Sequence, residues 1–197
     1  KPVAIFARLK RAYAKVTVNY TAGTGVSITA LRVENIPTRI YPFPATGNSP
    51  TDAFMNVDLT VNAGQTTYSF FMPENLRGNG TSITAKEKNQ PDNGPTQSGS
   101  ARNLDYCTCI VLTGTYNYYP NNTPENAANP ISVEYRFYPG ADMIRNYDIE
   151  RGKHYTLTLD LKGANSADAR VTITDGNVFT IADPDDVTHK DDIVFGE

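Results

Sequence analysis

Few side chains in this sequence are of the types that most often carry catalysis. The 197 residues include two histidines, His154 and His189, and two cysteines, Cys107 and Cys109. An enzyme needs a nucleophile, a base or a metal held in a pocket, and the chain has no Gly-x-Ser-x-Gly, phosphate-loop or Gly-x-Gly-x-x-Gly motif. We interpret His154 as an exposed or hydrogen-bonded residue at a strand entrance and His189 as a solvated residue. The sequence therefore predicts a protein that is not an enzyme and uses no cofactor.

Two groups of residues offer possible metal ligands. Cys107 and Cys109 are two positions apart, so on a strand they point to the same face, near the upper distance limit for a disulfide. We interpret both as small buried or half-buried apolar residues. Five aspartates near the carboxyl end supply hard oxygen ligands for calcium: Asp183, Asp185, Asp186, Asp191 and Asp192. They lack the spacing and the glycine of an EF-hand loop, so we interpret them as a solvated linker and predict no metal site.

Tyrosines provide the strongest sequence indication of a binding surface. Tyr116, Tyr118 and Tyr119 lie close to Asn117, Asn121 and Asn122 in a chain with twelve tyrosines and no tryptophan. Such rings can stack on sugar faces while the amides and hydroxyls hydrogen-bond to sugar hydroxyls. The alternative is that these tyrosines pack at strand ends with their hydroxyls at the surface. The three tyrosines are therefore candidate glycan contacts.

The composition indicates an all-β fold and argues against two classes of function. The chain contains 23 threonines, which favour strands, and 18 asparagines, which favour turns. Its net charge of −3 makes it a poor nucleic-acid binder. Its apolar runs fall short of the roughly 20 residues that a membrane-spanning helix needs.

Alternating apolar and polar residues mark the strands. The clearest examples are residues 131–138 and 155–162, where four apolar side chains alternate with polar ones. Burying four such side chains contributes roughly 6–12 kcal/mol, so each strand must have one face on a core. Further strands are predicted at 12–20, 26–33, 54–61, 66–72, 106–118, 170–174 and 177–181. The strand at 106–118 is apolar on both faces at its start, which predicts a central position in a sheet.

The connections between these strands lead to more specific expectations. Residues 62–65 predict a hairpin or tight connection, and Asp175-Gly176 predicts a two-residue hairpin. Residues 86–103 are almost without apolar side chains, so we expect a mobile surface loop. A short helical turn is expected at 142–148, and residues 1–15 have a weaker helical alternative. Many short strands with Gly, Pro and Asn turns predict a β-sandwich.

We expect one domain followed by a tail. Residues 1–182 form the predicted sandwich domain, and residues 183–197 form an acidic linker and carboxyl-terminal tail. Because the chain begins at Lys1 rather than Met, we expect a processed or engineered fragment of a longer protein whose export signal is missing.

The order of short motifs along the chain resembles the fimbrillin-like proteins of Bacteroides-type bacteria, which include the shaft, anchor and tip subunits of type V pili. The resemblance covers roughly residues 8–165. Its motifs are RAYAKV at 11–16, VENIP at 33–37, YSFFMPENLRG at 68–78, CIVLTGTY at 109–116, VEYRFYPG at 133–140, YDIERGKHY at 147–155 and LDLKG at 159–163. The segments at 73–78 and 148–157 are the most similar to the family. The chain departs from the family's usual Leu-Gly at Pro139-Gly140 and its usual Arg-Asn at Arg151-Gly152.

The resemblance implies a transthyretin-like Greek-key β-sandwich of about seven to nine strands, lipidated at export and carried to the outer membrane. It also implies that subunits join by strand exchange. Proteolysis after an Arg or Lys removes an N-terminal strand, and a strand from a neighbouring subunit fills the groove. An opened sandwich exposes apolar side chains and unpaired backbone groups, and an added strand covers both.

These implied parts are placed on the chain as a hypothesis. Arg8 and Arg11 are candidate processing residues just before the first strand, and Ile193, Val194 and Phe195 are a candidate donor segment. The expected function is a structural or adhesive subunit of a surface fimbria, with other pilus subunits as partners and a membrane link only through a lipid anchor. The alternative is a cell-surface glycan-binding lipoprotein on the same sandwich.

Overall fold

Two β-sheets make up the part of the chain that the computed structural model describes. That part comprises residues 11–42, 49–96, 101–117 and 130–163, with the backbone of 171–173 and 188–190. The described strands are β1 (Tyr13–Ala22), β2 (Val26–Pro37), β3 (Phe54–Leu59), β4 (Thr67–Pro73), β5 (Cys109–Asn117), β6 (Pro130–Phe137), β7 (His154–Leu161), β8 (Val171–Ile173) and β9 (Thr188–Lys190). Sheet I has the order β4-β1-β7-β9, and sheet II has the order β3-β2-β5-β6-β8. The predicted all-β sandwich of seven to nine strands is confirmed.

The core lies between the two sheets. On β6 the predicted alternation holds: Ile131, Val133, Tyr135 and Phe137 are buried and the residues between them are half-buried. On β7, Tyr155, Leu157, Leu159 and Leu161 are buried in the same way. These side chains meet the inward residues of β1, β2 and β5 in one apolar cluster. The period of two along each strand therefore decides which face closes the sandwich.

Strand β1 is the strand around which sheet I is built. It pairs antiparallel with β4, with Val16 opposite Phe70, and parallel with β7, with Val16 opposite Tyr155. Its inward side chains Ala14, Val16 and Val18 are fully buried. A strand with partners on both sides and one face in the core is among the last parts of a sandwich to open.

Strand β5 occupies the centre of sheet II, as predicted, between β2 and β6. Its outer face is covered by a second apolar cluster that contains Cys107, Cys109, Val111, Tyr138 and Tyr147. The prediction that both cysteines are buried is confirmed, and neither forms a disulfide. Burial raises the pKa of each thiol to about 12, so both stay protonated and unreactive at neutral pH.

The expectation of a mobile loop at 86–103 is wrong for the residues that the structure describes. Two 3₁₀ turns, Glu87–Asn89 and Pro91–Asn93, follow one another there. Lys88 is buried, with Nζ donating to the Asp142 carbonyl at 2.6 Å and lying 4.9 Å from the centre of the Tyr147 ring. The near absence of apolar side chains gave the wrong expectation because hydrogen bonds and the aliphatic stem of Lys88 fix this segment instead.

The structure can also be compared with three smaller expectations. Residues 62–65 form a tight connection rather than a hairpin, because β3 belongs to sheet II and β4 to sheet I. The segment at 142–148 is not helical: Asp142 Oδ1 accepts the backbone N–H groups of Ile144, Arg145 and Asn146, and this fixes a turn. The hairpin at Asp175-Gly176 lies outside the described residues, and of the helical alternative at 1–15 the described part is strand from Tyr13 onward.

Gly114 tests how tightly β2 and β5 approach each other. A Cβ atom at this position would lie 1.9 Å from the Ser27 carbonyl oxygen, opposite a bulge in β2 between Ile28 and Ala30. We therefore expect Gly114→Ala to lower the free energy of unfolding by about 3 kcal/mol or more. Gly64→Ala is the control, because it meets no atom within 4 Å and pays only for its left-handed φ of 77°, about 1 kcal/mol. Urea denaturation measures both, and equal losses would contradict the close approach.

Lys88 predicts a pH dependence of stability. Burial lowers its pKa from 10.5 to about 7. Below pH 7 the amine is charged in both the folded and unfolded chain, and the folded state bears the desolvation cost. As the pH rises, the folded-state amine loses its proton first, so stability increases with pH. We expect the Lys88 amine to contribute a gain of about 2 kcal/mol between pH 7 and 9, which the two buried thiols begin to oppose from about pH 8, because folding raises their pKa from 9.0.

The matched variant for this test is Lys88→Met, which keeps the stem and removes the titrating group. Its free energy of unfolding should change much less over the same pH range. Parallel pH profiles for the variant and the natural sequence would show that Lys88 does not titrate in the folded protein.

Candidate functional site

The two segments most similar to the fimbrillin-like family, 73–78 and 148–157, lie against each other in the structure. Asn75 and Ile149 form a β-bridge, with N–O distances of 2.8 and 2.9 Å in the two directions. The N–H of Tyr147 donates to the Gly78 carbonyl at 3.0 Å. Two stretches about seventy residues apart in sequence thus form one local structure.

Asp148 fixes the chain after β4. Its Oδ1 accepts the backbone N–H groups of Arg77 at 2.7 Å and Gly78 at 2.6 Å. Its Oδ2 accepts from the Asn146 side chain at 3.0 Å. Because β4 ends at Pro73, these two N–H groups have no partner in a neighbouring strand, and the carboxylate of Asp148 accepts their hydrogen bonds instead.

Asn75 joins this segment to sheet II. The side chain is fully buried, and Nδ2 donates to the Tyr106 carbonyl and to Thr108 Oγ1, each at 2.9 Å. Thr108 in turn donates to the carbonyl of Asn35 at 3.2 Å. Asn35 has a φ of 57° at a bulge in β2, a conformation that asparagine tolerates.

Arg77 is the largest buried side chain in this region. Nε donates to Asn75 Oδ1 at 2.8 Å, and Nη2 donates to the carbonyls of Ser49 and Pro50. The guanidinium lies 5.8 Å from the centre of the Phe54 ring. Burial lowers the pKa of Arg77, but arginine remains charged. Its hydrogen bonds to carbonyl oxygens therefore offset the free-energy cost of removing the guanidinium from water.

Glu74 and Arg151 form a buried ion pair at the same place. Their side chains are 9% and 7% exposed, and Arg151 Nη2 lies 3.2 Å from Glu74 Oε1. Arg151 Nη1 donates to the Tyr41 carbonyl at 2.8 Å, while Nε has no protein acceptor among the described residues. We call Glu74, Asn75, Arg77, Asp148 and Arg151 the polar junction.

A small cavity adjoins the polar junction. Glu74, Arg151 and Ala12 are among its lining residues, and its volume of about 10 Å³ suits one water molecule. A water there would supply the acceptor that the Arg151 Nε–H needs. A cavity of this volume is too small for an organic ligand.

The polar junction holds the beginning of β1. The N–H of Gly152 donates to the Tyr13 carbonyl, and the N–H of Lys15 donates to the Lys153 carbonyl, both at 2.9 Å. Arg11, one of the two predicted processing residues, is exposed immediately before these contacts. These backbone hydrogen bonds, directly after Arg151 in the sequence, fix the start of β1.

The remaining predicted site residues are distributed differently. Tyr116 lies in the core with 4% of its surface exposed, where the packing alternative places it. Tyr118 and Tyr119 lie outside the described residues, as do Arg8 and the donor segment Ile193, Val194 and Phe195. Their roles stay predictions. Among the described residues, no group of three or more His, Cys, Asp or Glu is placed to hold a metal ion, and no helix is long and apolar enough to cross a membrane.

Sequence reasoning did not identify the polar junction as a site. It singled out 73–78 and 148–157 as family-like motifs, but nothing in the sequence alone indicated that they touch. The available signal was that both segments contain charged residues directly beside strand ends, at Glu74, Arg77, Asp148 and Arg151.

These contacts define the class of domain, an all-β sandwich whose first strand is secured by a buried polar junction. Comparison with known families finds that residues 70–159, somewhat less than half of the chain, match the family described as "Domain of unknown function (DUF4906)". A search of the curated proteins finds no match.

Two solved structures are similar to this chain. One is the tip fimbrial protein Mfa3 from Porphyromonas gingivalis with a C-terminal truncation, with 14% identity and a TM-score of 0.45 over 84% of this chain and 50% of that one. The other is described as a candidate cell adhesion protein from Parabacteroides distasonis ATCC 8503, with 14% identity and a TM-score of 0.43 over 77% of this chain and 43% of that one. The chain thus spans about half the length of these structures.

Arg77→Met tests the polar junction. The change leaves Asn75 Oδ1 and the Ser49 and Pro50 carbonyls without their donor, so we expect a loss of about 3 kcal/mol or more in the free energy of unfolding. The control is Arg32→Met, which breaks the exposed ion pair with Asp58 and should leave stability nearly unchanged. Chemical denaturation compares the two, and a small effect of Arg77→Met would mean that the junction contributes little.

Proposed function

We propose that this chain is a structural or adhesive subunit of a bacterial surface fimbria and joins its neighbours by strand exchange. Membership of the fimbrillin-like family is part of the proposal. The observation that carries it is that the two most family-like segments meet in one buried junction at the start of β1. The motifs that suggest the family thus occupy the place where processing of the N-terminus would act.

The exposure of Arg11 supports a processing step. Arg11 precedes a strand whose backbone is hydrogen-bonded on both sides, and Ala12, which follows it, lines the cavity beside the polar junction. A protease that cleaves after basic residues needs an accessible, extended segment. Cleavage after Arg8 or Arg11 would separate β1 from any strand before it and leave the sandwich intact from β1 onward.

The open side of the sandwich supports an acceptor role. In the described sheets, β3 is the outermost strand of sheet II and β4 is the outermost strand of sheet I, and a short connection joins them. Val57, Leu59 and Phe70 are half-buried along this side, packed against the core. A strand added here would cover apolar surface and pair the edge hydrogen-bonding groups.

The carboxyl-terminal tail is the proposed donor. Residues 188–190 pair with β7 as β9 at the edge of sheet I. Ile193, Val194 and Phe195 follow in the sequence, an apolar triplet after an acidic stretch. In the proposed fibre these residues pair with the next subunit, and a lipid anchor on the longer precursor carries the protein to the cell surface.

Limited trypsin digestion tests the processing step. We expect cleavage after Arg8 or Arg11 to convert the protein into polymers visible by size-exclusion chromatography and electron microscopy. The triple variant Arg8→Gln, Lys10→Gln and Arg11→Gln, which removes every trypsin site between residues 8 and 11, should stay monomeric under the same treatment. Arg145→Gln is the matched control, since Arg145 is also exposed and lies in the turn at 142–148, and it should polymerise normally.

Deletion of residues 183–197 tests the donor. The shortened protein should be cleaved at the N-terminus at the normal rate and fail to polymerise. Polymerisation unchanged by the deletion would overturn the donor assignment, and polymerisation without any N-terminal cleavage would overturn the processing step.

A further inference from the structure

The outer face of sheet I presents a group of side chains that the fimbrial role does not use. Residues alternate along each strand, so those that do not enter the core share this face. They are Tyr13, Lys15, Thr17 and Asn19 of β1, Thr67, Ser69 and Phe71 of β4, and His154, Thr156 and Thr158 of β7. In register, Lys15 lies between Phe71 on one side and His154 on the other.

Two aromatic rings are exposed at one end of this face. Phe71 is 63% exposed and Tyr13 is 42% exposed. Tyr13 lies opposite Pro73, two positions from Phe71 on β4, and such diagonal neighbours are about 7–8 Å apart. A single exposed aromatic residue is ordinary, but here two exposed rings share one end of a face whose other outward residues are mostly polar.

Hydrogen bonds hold the polar groups beside these rings in fixed positions. Thr17 Oγ1 lies 2.8 Å from Ser69 Oγ and 2.9 Å from His154 Nε2. Thr67 Oγ1 donates to Asn19 Oδ1 at 2.9 Å. Partial burial and the charge of Lys15 lower the pKa of His154, so its imidazole is neutral at pH 7. Rigid hydroxyl, amide and imidazole groups next to an aromatic ring are an arrangement suited to a polyhydroxylated molecule.

The charge of this end of the face is positive. No acidic residue among those described forms an ion pair with Lys15. Arg11 is exposed just before β1, against the exposed Glu150, while the carboxylate of Glu74 is already paired with Arg151. On the outward positions of β1, β4 and β7, the one acidic residue is Asp160, which lies beside Thr21 at the far end. An anionic group is therefore favoured near Lys15.

We propose that this face binds an acidic glycan, with a sugar ring stacked on Phe71 and Tyr13 and its carboxylate paired with Lys15. The C–H face of a pyranose packs on an aromatic ring through apolar contact and dispersion. Ser69, which is exposed, and His154, which is half-buried, then hydrogen-bond the sugar hydroxyls, while Thr17 is buried between them. The site differs from the candidate tyrosines near residue 116 and does not depend on strand exchange.

Binding of a hyaluronan hexasaccharide, which carries one carboxylate per disaccharide, tests the proposal on the unprocessed monomer. Isothermal titration calorimetry should detect binding that is at least tenfold weaker for neutral chitohexaose and that weakens with added salt. A keratan sulfate hexasaccharide, which carries sulfate and no carboxylate, separates the two kinds of anion: binding as tight as hyaluronan or tighter would overturn the carboxylate assignment.

Phe71→Ala and Lys15→Met should each weaken hyaluronan binding at least tenfold while thermal unfolding stays unchanged. The matched controls are Ile83→Ala, which removes another exposed apolar side chain, and Lys162→Met, which removes another exposed lysine. Both should bind normally. Absence of binding by the natural sequence, or binding unaffected by both Phe71→Ala and Lys15→Met, would overturn the proposal. Neither result bears on the polymerisation tests of the fimbrial role.

Discussion

The structure depends on one desolvated arginine, Arg77, whose guanidinium donates to backbone carbonyls and to Asn75 Oδ1 inside the protein. A buried charge is costly unless each donor is satisfied, so the surrounding chain has little freedom to rearrange. Asn75 extends this hydrogen-bond network to the residues just before β5 and to the bulge of β2. Asp148 extends it to the segment before β7. The end of the sandwich is thus fixed by polar contacts, and the apolar core needs only to close the space between the sheets.

Polar contacts also explain how the long connection between β4 and β5 is held in place. Between β4 and β5 the chain has few apolar side chains, yet Lys88 and the 3₁₀ turns cover the outer face of β5 together with Tyr147 from the connection between β6 and β7. The second cluster shields both cysteines from solvent. Strand β5 is therefore covered on both faces by described residues, whereas on sheet I the outward residues Thr67, Ser69 and Phe71 of β4 are exposed.

Alternation was enough to predict the strands of the core, including β6, β7 and the central position of β5, because burial of one face leaves a direct period-two signal. The positions of Lys88, Asn75 and Arg77 were beyond that method, since a polar residue buried by long-range hydrogen bonds has the same local pattern as one in solvent. The pairing of β3 and β4 with different sheets was also hidden, because a tight turn suits either arrangement. Of the candidate site, the exposed position of Arg11 before the first strand was predictable, but its proximity to the polar junction was not.

The placement of β1 has a mechanical consequence. Its neighbours β4 and β7 pair with it along nearly its whole length, and tension between the ends of β1 acts parallel to the strand. Hydrogen bonds loaded in that direction share the force and break together, whereas bonds at a sheet corner open one at a time. A domain built this way resists extension far better than its free energy of unfolding alone indicates.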